Sequence, residues 1–282
     1  MKLAQKIIIE IIRARLNILG VISPKWAAKQ AFKLFSTPHF RTKKPDPPIF
    51  KKGEVMSFDM DGKKVFGYRW NHPSNKRLLI LHGFESSCKN FDSYITNAIK
   101  MGYEVYAFDA PAHGKSEGKR IILPIYVQMI RKIEENFGSM NTYLAHSFGG
   151  LAITHYLESI PQNPIWKLIL IAPATETKTA IDSFFKFVQL NNTIRKEFDQ
   201  MIFDKSGVWP SHYSIKRAFE NIHCKTLWIH DHDDDITPIS DVKPIVEIGH
   251  PNIDFLFTNG LGHRRIYRDN KVKKAVYQFL EM

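Results

Sequence analysis

The stretch "NTYLAHSFGGLAITHYLESI" (residues 141–160) changes its period in the middle. "TYLA" is a short apolar run with aromatic and β-branched members, which reads as a strand. From Phe148 onward the apolar residues recur at helical spacing. Ser147 stands at the join, followed by Gly149 and Gly150. A strand that turns sharply into a helix lifts the residue at the turn above the sheet edge. It also aims the positive end of the helix at that residue. Such a turn is crowded, so residues two places away on either side must be small. Gly149 fits, and Ala145 adds a single methyl group. Ser147 could then be a presented nucleophile or a plain N-cap of the following helix.

Working outward, the same alternation repeats. "VMSFDMDGKKVFGYRW" (55–70) places Asp61-Gly62 between two strand-like runs, a tight hairpin signal. "RLLILHG" (77–83), "YEVYAFDAPAHG" (103–114), "WKLILIAPA" (166–174), "KTLWIHD" (225–231) and "IDFLFTNG" (253–260) read as strands. Helical stretches lie between most of them, and "NKVKKAVYQFLE" closes the chain. Short apolar strands separated by helices imply right-handed crossovers and a mostly parallel sheet, here with an antiparallel N-terminal hairpin and helices on both faces. Residues 175–222 form a long helical and aromatic insertion.

In such a sheet, ligands gather at the C-terminal ends of the strands. The polar and glycine-rich signals fall there: His82-Gly83, the Asp109 turn, Ser147, the acidic run 231–235, and His263. A serine hydroxyl needs a histidine to take its proton and a carboxylate to orient that histidine. His263, in "TNGLGHRRIYRD" after two glycines, is the base expected. Asp234 is the first choice of acid and Asp233 the second. The amides of Phe84 and Phe148 are the expected oxyanion donors. His230 and His232 beside the aspartates raise a rival metal reading. Adjacent strand residues point apart, which argues against it. No nucleotide or metal motif appears, so neither a cofactor nor a metal is expected.

The chain has 282 residues, 44% of them hydrophobic, enough for one large core. The two cysteines form no motif, so a disulfide framework is not expected, and a reduced cytoplasmic setting suits them. Net charge is +12, and +9 of it lies in residues 1–54, which argues against a nucleic-acid surface spread over the whole chain. Leu3, Ile7, Ile11, Ile12, Leu16, Leu19 and Ile22 recur at helical spacing, with Glu10, Arg13 and Arg15 breaking any membrane-spanning run. "SPKWAAKQAFKLF" follows, with Ser23 as cap and Pro24 in the first turn. These helices either pack on the domain or on a second subunit, as in a homodimer, or lie on a membrane surface through residues 1–35. A proline-rich, extended connector leads to residue 54.

From about residue 55 the chain resembles an α/β-hydrolase. The resemblance rests on "LLILHGFESS", "YAFDAPAHGKSEG", "LAHSFGG", "WIHDHDDDITP" and "NGLGHRR". The order Ser147, Asp234, His263 is the family's order. The resemblance implies an α/β-hydrolase fold over 55–282, a cap at about 175–222, and an N-terminal extension over 1–54 outside the usual core. It assigns Asp109, His113 and Gly114, with His82, Gly83, Ala145, Gly149 and Gly150, to structural work. Asp231 stands where many members carry glycine. "KLFSTPHFR" is similar to leaders of bacterial esterase- or lipase-like members of unassigned function. The implied activity is hydrolysis of a small-molecule carboxylic ester of short to medium chain. Thioester hydrolysis, acyl transfer, or a non-catalytic binding role on the same scaffold are the alternatives.

Overall fold

The computed structural model describes residues 3–41 and 45–282; Thr42–Lys44 of the connector and the side chains of residues 3–5, Leu3 among them, lie outside the described residues. The strands are β1 (Glu54–Met60), β2 (Lys63–Trp70), β3 (Arg77–Leu81), β4 (Glu104–Phe108), β5 (Thr142–His146), β6 (Lys167–Ile171), β7 (Lys225–Asp231) and β8 (Ile253–Thr258). They form one sheet in the order β1-β2-β4-β3-β5-β6-β7-β8. β1–β2 and β2–β4 pair antiparallel, and every pairing from β4 to β8 is parallel. The hairpin turns on Asp61 (φ 53°) and Gly62 (φ 71°), both left-handed, which matches the twist of the flanking strands.

Parallel strands are covered on both faces, so their residues are buried in both alternations. Leu78, Ile80, Val105, Ala107, Leu144, Ile169 and Ile229 share one core with Tyr94 and Ile95 of α3 (Asp92–Lys100) and Val276 and Phe279 of the closing helix Asn270–Glu281. On the other face, α4 (Leu123–Phe137) stacks Phe137 on Tyr106 and Phe108. The fold is that of an α/β-hydrolase. The short helix Lys243–Ile248, between β7 and β8, has no counterpart among the expected elements.

The chain divides into two compact units. Residues Pro38–Thr175 and Ile215–Met282 carry the sheet; Met1–Thr37 and Glu176–Ser214 form the other unit. This differs from the expected division into 1–54 and 55–282. In the second unit, α1 (Leu3–Ile22) and α2 (Pro24–Phe35) pack with α6 (Thr177–Val188) and α7 (Asn192–Ser206); α5, in the sheet unit, is Phe148–Glu158. The physical reason lies on α2. Its Ala27, Ala28 and Ala31 present a smooth face that admits Ile181, Phe185, Ile194 and Phe198. On α1, a β-carbon at Gly20 would lie 2.6 Å from Ile194 Cδ1, so any larger residue there would push the Ile194 side chain aside. Arg13 and Asn17 donate to the carbonyls of Val188 and Gln189 at the end of α6. Ser23 caps α2 through the amide of Trp26, with Pro24 in the first turn. The connector is not extended throughout. Pro48–Lys51 forms a 3-10 turn whose Phe50 is buried edge-on against Tyr68 and Trp70, which ties it to the sheet unit.

Candidate active site

β5 ends at His146 and α5 begins at Phe148, so Ser147 alone makes the turn. Its φ of 54° and ψ of −122° are strained for a residue with a side chain. Backbone bonds hold the strain: the Ser147 amide donates to Ile171 O, and its carbonyl accepts from Gly150 and Ala174. The hydroxyl makes no capping bond. The N-cap use of Ser147 is therefore not the one adopted. A β-carbon on Gly149 would fall 2.8 Å from the carbonyl oxygens of Leu81 and His82, and one on Gly150 2.7 Å from Pro173. Ala145, fully buried, lies between Leu81 of β3 and Leu170 of β6.

Ser147 Oγ lies 2.8 Å from His263 Nε2, and His263 Nδ1 lies 2.8 Å from Asp234 Oδ2. All three residues are buried. The carboxylate can only accept, so Nδ1 carries the proton and Nε2 accepts from the serine hydroxyl. Asp234 is fixed by further donors: the amides of Ile236 and Thr237 to Oδ1, and the Thr237 hydroxyl to Oδ2. Burial alone would raise the Asp234 pKa. The bond and charge of His263, with the Thr237 and Ile236 amides, outweigh it and hold the carboxyl below its ordinary value. The alternative acid, Asp233, is exposed and accepts from the Gly260 amide instead.

Two contributors, Thr237 and His146, were not singled out from the sequence, and a third, Asp231, was noted there only as a departure from glycine. Thr237 bridges Asp234 and His263, its hydroxyl 3.1 Å from Nδ1. Asp231, fully buried, accepts from the amides of Leu261 and Gly262 and from the Thr258 hydroxyl, and so pins the loop that carries His263. His146 donates from Nε2 to the carbonyl of His263 at 3.1 Å, and its ring lies 4.8 Å from that of His263. Burial, then the neighbouring His263, pushes the His146 pKa down to about 3, so its ring stays neutral. The glycine expected at position 231 was a usable signal for Asp231; nothing local marks Thr237 or His146.

The loop after β3 reaches the same place. A β-carbon on Gly83 would lie 2.9 Å from Ser147 Cβ, so only glycine lets this backbone pass. The Phe84 amide follows directly, and the Phe84 ring lies 6.3 Å from that of Phe148. His82 donates from Nδ1 to Gly83 O and accepts the Ala110 amide; His113 Nε2 accepts the Glu85 amide. Asp109 accepts the amides of Cys88 and Lys115, and a β-carbon on Gly114 would strike its carboxylate. These residues brace the loop and do not touch the serine. His230 is buried and donates to Thr237 O, while His232 is exposed. Among the described residues, no group of three or more His, Cys, Asp or Glu is placed to hold a metal ion.

Residues 72–201 match the family model described as serine aminopeptidase, S33, which covers Ser147 but neither Asp234 nor His263. Over 155 residues the chain is 25% identical to a bifunctional esterase/perhydrolase of Acinetobacter calcoaceticus, covering 51% of this chain and 55% of that one. The chain thus spans about half the length of that curated relative. Among solved structures, it is similar to an esterase of Pyrococcus furiosus (TM-score 0.64, 20% identity, 87% of this chain and 97% of that one). It is also similar to a monoacylglycerol lipase of Paleococcus ferrophilus (TM-score 0.59, 22% identity, 77% and 98%). The fold, the turn at Ser147 and these likenesses agree: the chain has the α/β-hydrolase fold.

Proposed function

We propose that the protein is a serine hydrolase that cleaves a carboxylic ester through an acyl-enzyme on Ser147. The observation that carries this reading is the hydrogen-bonded line from Ser147 Oγ through His263 to Asp234, set at the strand ends. His263 Nε2 takes the hydroxyl proton as Oγ attacks the ester carbonyl. The resulting oxyanion is met by the amides of Phe84 and Phe148. Collapse breaks the bond to the alkoxide, which takes the proton from His263. Water, deprotonated by the same nitrogen, then attacks the acyl carbon and returns the serine, releasing the acid. Asp234, held as a carboxylate, stabilises the imidazolium in both halves. The partly exposed rings of Phe84 and Phe148 beside the serine favour an acyl or alkyl chain of short to medium length. The names of the similar esterase and lipase support the same class of substrate.

A fluorophosphonate probe should label the wild-type protein and fail to label Ser147→Ala. Asp234→Asn should lower kcat by roughly 10²- to 10⁴-fold with KM little changed, because the imidazole loses its tautomer and orientation. p-Nitrophenyl esters should outpace acyl-CoAs. Faster turnover of acyl-CoAs would make the enzyme a thioesterase, and a folded protein whose Ser147 resists the probe would be a binding protein.

A further inference from the structure

Helix α1 has two apolar faces, and only one has a partner. Leu16 and Gly20 are buried within the unit formed with α6 and α7, beside Arg13 and Asn17, which bond to its carbonyls. On the opposite side Ile7, Ile11, Ile18 and Ile22 follow one another at spacings of four, seven and four, and all are exposed, with Val21 beside them at 85%. From Ile7 to Ile22 the stripe runs about 22 Å. Trp26, at the start of α2, is 46% exposed and extends it. Isolated exposed aliphatics are ordinary, but a continuous stripe is not.

Charge decides what the stripe meets. Residues 1–37 hold seven Lys/Arg and one acid, Glu10. Glu10 is itself paired with Arg13 at 2.8 Å. The partner segment 176–214 holds five basic and five acidic residues, so the unit's whole excess belongs to these two helices. Arg15 stands beside the apolar stripe, and Lys25, Lys29 and Lys33 form an exposed row on α2. Aliphatic side chains, a tryptophan and unopposed cations together fit a surface that is apolar inside and anionic outside. No described helix is long and apolar enough to cross a membrane. We infer that α1 and the start of α2 dock the protein on an anionic phospholipid surface, with Ile7, Ile11, Ile18, Val21 and Ile22 entering the interface. The inference stands independently of the proposed activity.

Flotation of the full-length protein with vesicles of phosphatidylglycerol and phosphatidylcholine in equal parts, or of phosphatidylcholine alone, tests it. Wild type should float with the anionic vesicles and less so at high salt. Ile11→Asp/Ile18→Asp should weaken partitioning roughly tenfold or more, since two inserted aliphatic chains become charged. Lys25→Glu and Lys29→Glu should each weaken it about fivefold. All these residues are exposed, and unchanged circular dichroism and probe labelling of Ser147 would show that the variants are folded. Wild type that stays unbound, or an aspartate variant that floats as well, would overturn the inference. So would a wild-type dimer, by light scattering, that the aspartate variant turns into a monomer without any vesicle binding, because the stripe would then face a second copy.

Discussion

At the scale of single residues, the site depends on small volumes. Ser147 keeps its strained φ through the backbone bonds that hold it, and Gly83 passes where a β-carbon would lie 2.9 Å from the Ser147 β-carbon. Ala145 is the informative one. Its methyl group is fully buried between strands that carry leucines on both sides. A larger side chain at this fully buried position would have to displace its neighbours. Ala145→Val should cost about 1–3 kcal/mol of stability and slow probe labelling of Ser147. Ala145→Gly should label normally, at about 0.5–1 kcal/mol from strand entropy. Urea melts together with labelling rates would separate the two effects. Ser147, His263 and Asp234 were legible because glycines, strand ends and chain order mark them. Thr237 and His146 were not, because a threonine hydroxyl or a ring nitrogen shows its partner only once the loops have met.

At the scale of elements, the sheet was readable and the second unit was not. Each parallel strand announces itself as a short apolar run between turn signals, and the hairpin announces itself through Asp61-Gly62. The pairing of α2 with α7 joins positions more than 150 residues apart, and no local pattern encodes that. The periodicity of α1 and α2 showed two amphipathic helices without saying what each face meets. The alanines of α2 were the available hint: a face of small residues suits close helix packing. Ala31→Leu should therefore overpack the contact with α7 and cost about 1–3 kcal/mol. Hydrogen exchange should show faster opening of Asn192–Ser206 while the strands keep their protection. Equal protection in α7 would mean that the cluster tolerates the added volume.

At the scale of the whole molecule, buried histidines set the response to acid. Burial, reinforced by a neighbouring histidine in each case, pushes His113 and His146 down from 6.5 to about 3. A histidine held neutral contributes stability that is complete above its unfolded pKa of 6.5 and is lost as pH falls toward about 3. The carboxyls of Asp231 and Asp234, lowered in the fold, add losses only below the ordinary carboxylate range. Stability should therefore begin to fall below pH 6.5, by about 1.4 kcal/mol per pH unit for each histidine involved. His146→Gln should flatten that slope by one such increment. Urea midpoints measured across this range would show it, and a flat profile down to the carboxylate range would contradict it.

The second unit is sewn from two stretches of chain, and this bears on how the protein is made. When α2 leaves the ribosome, α7 lies about 170 residues behind it, which is roughly 10 to 30 s of synthesis. Throughout that interval the alanine face of α2 lacks Ile181, Phe185, Ile194 and Phe198, which fill it in the finished unit. The nascent chain thus carries two sticky helices ahead of a sheet that is still being spun out. A chaperone, or the lipid surface inferred above, would meet them before their own partners do.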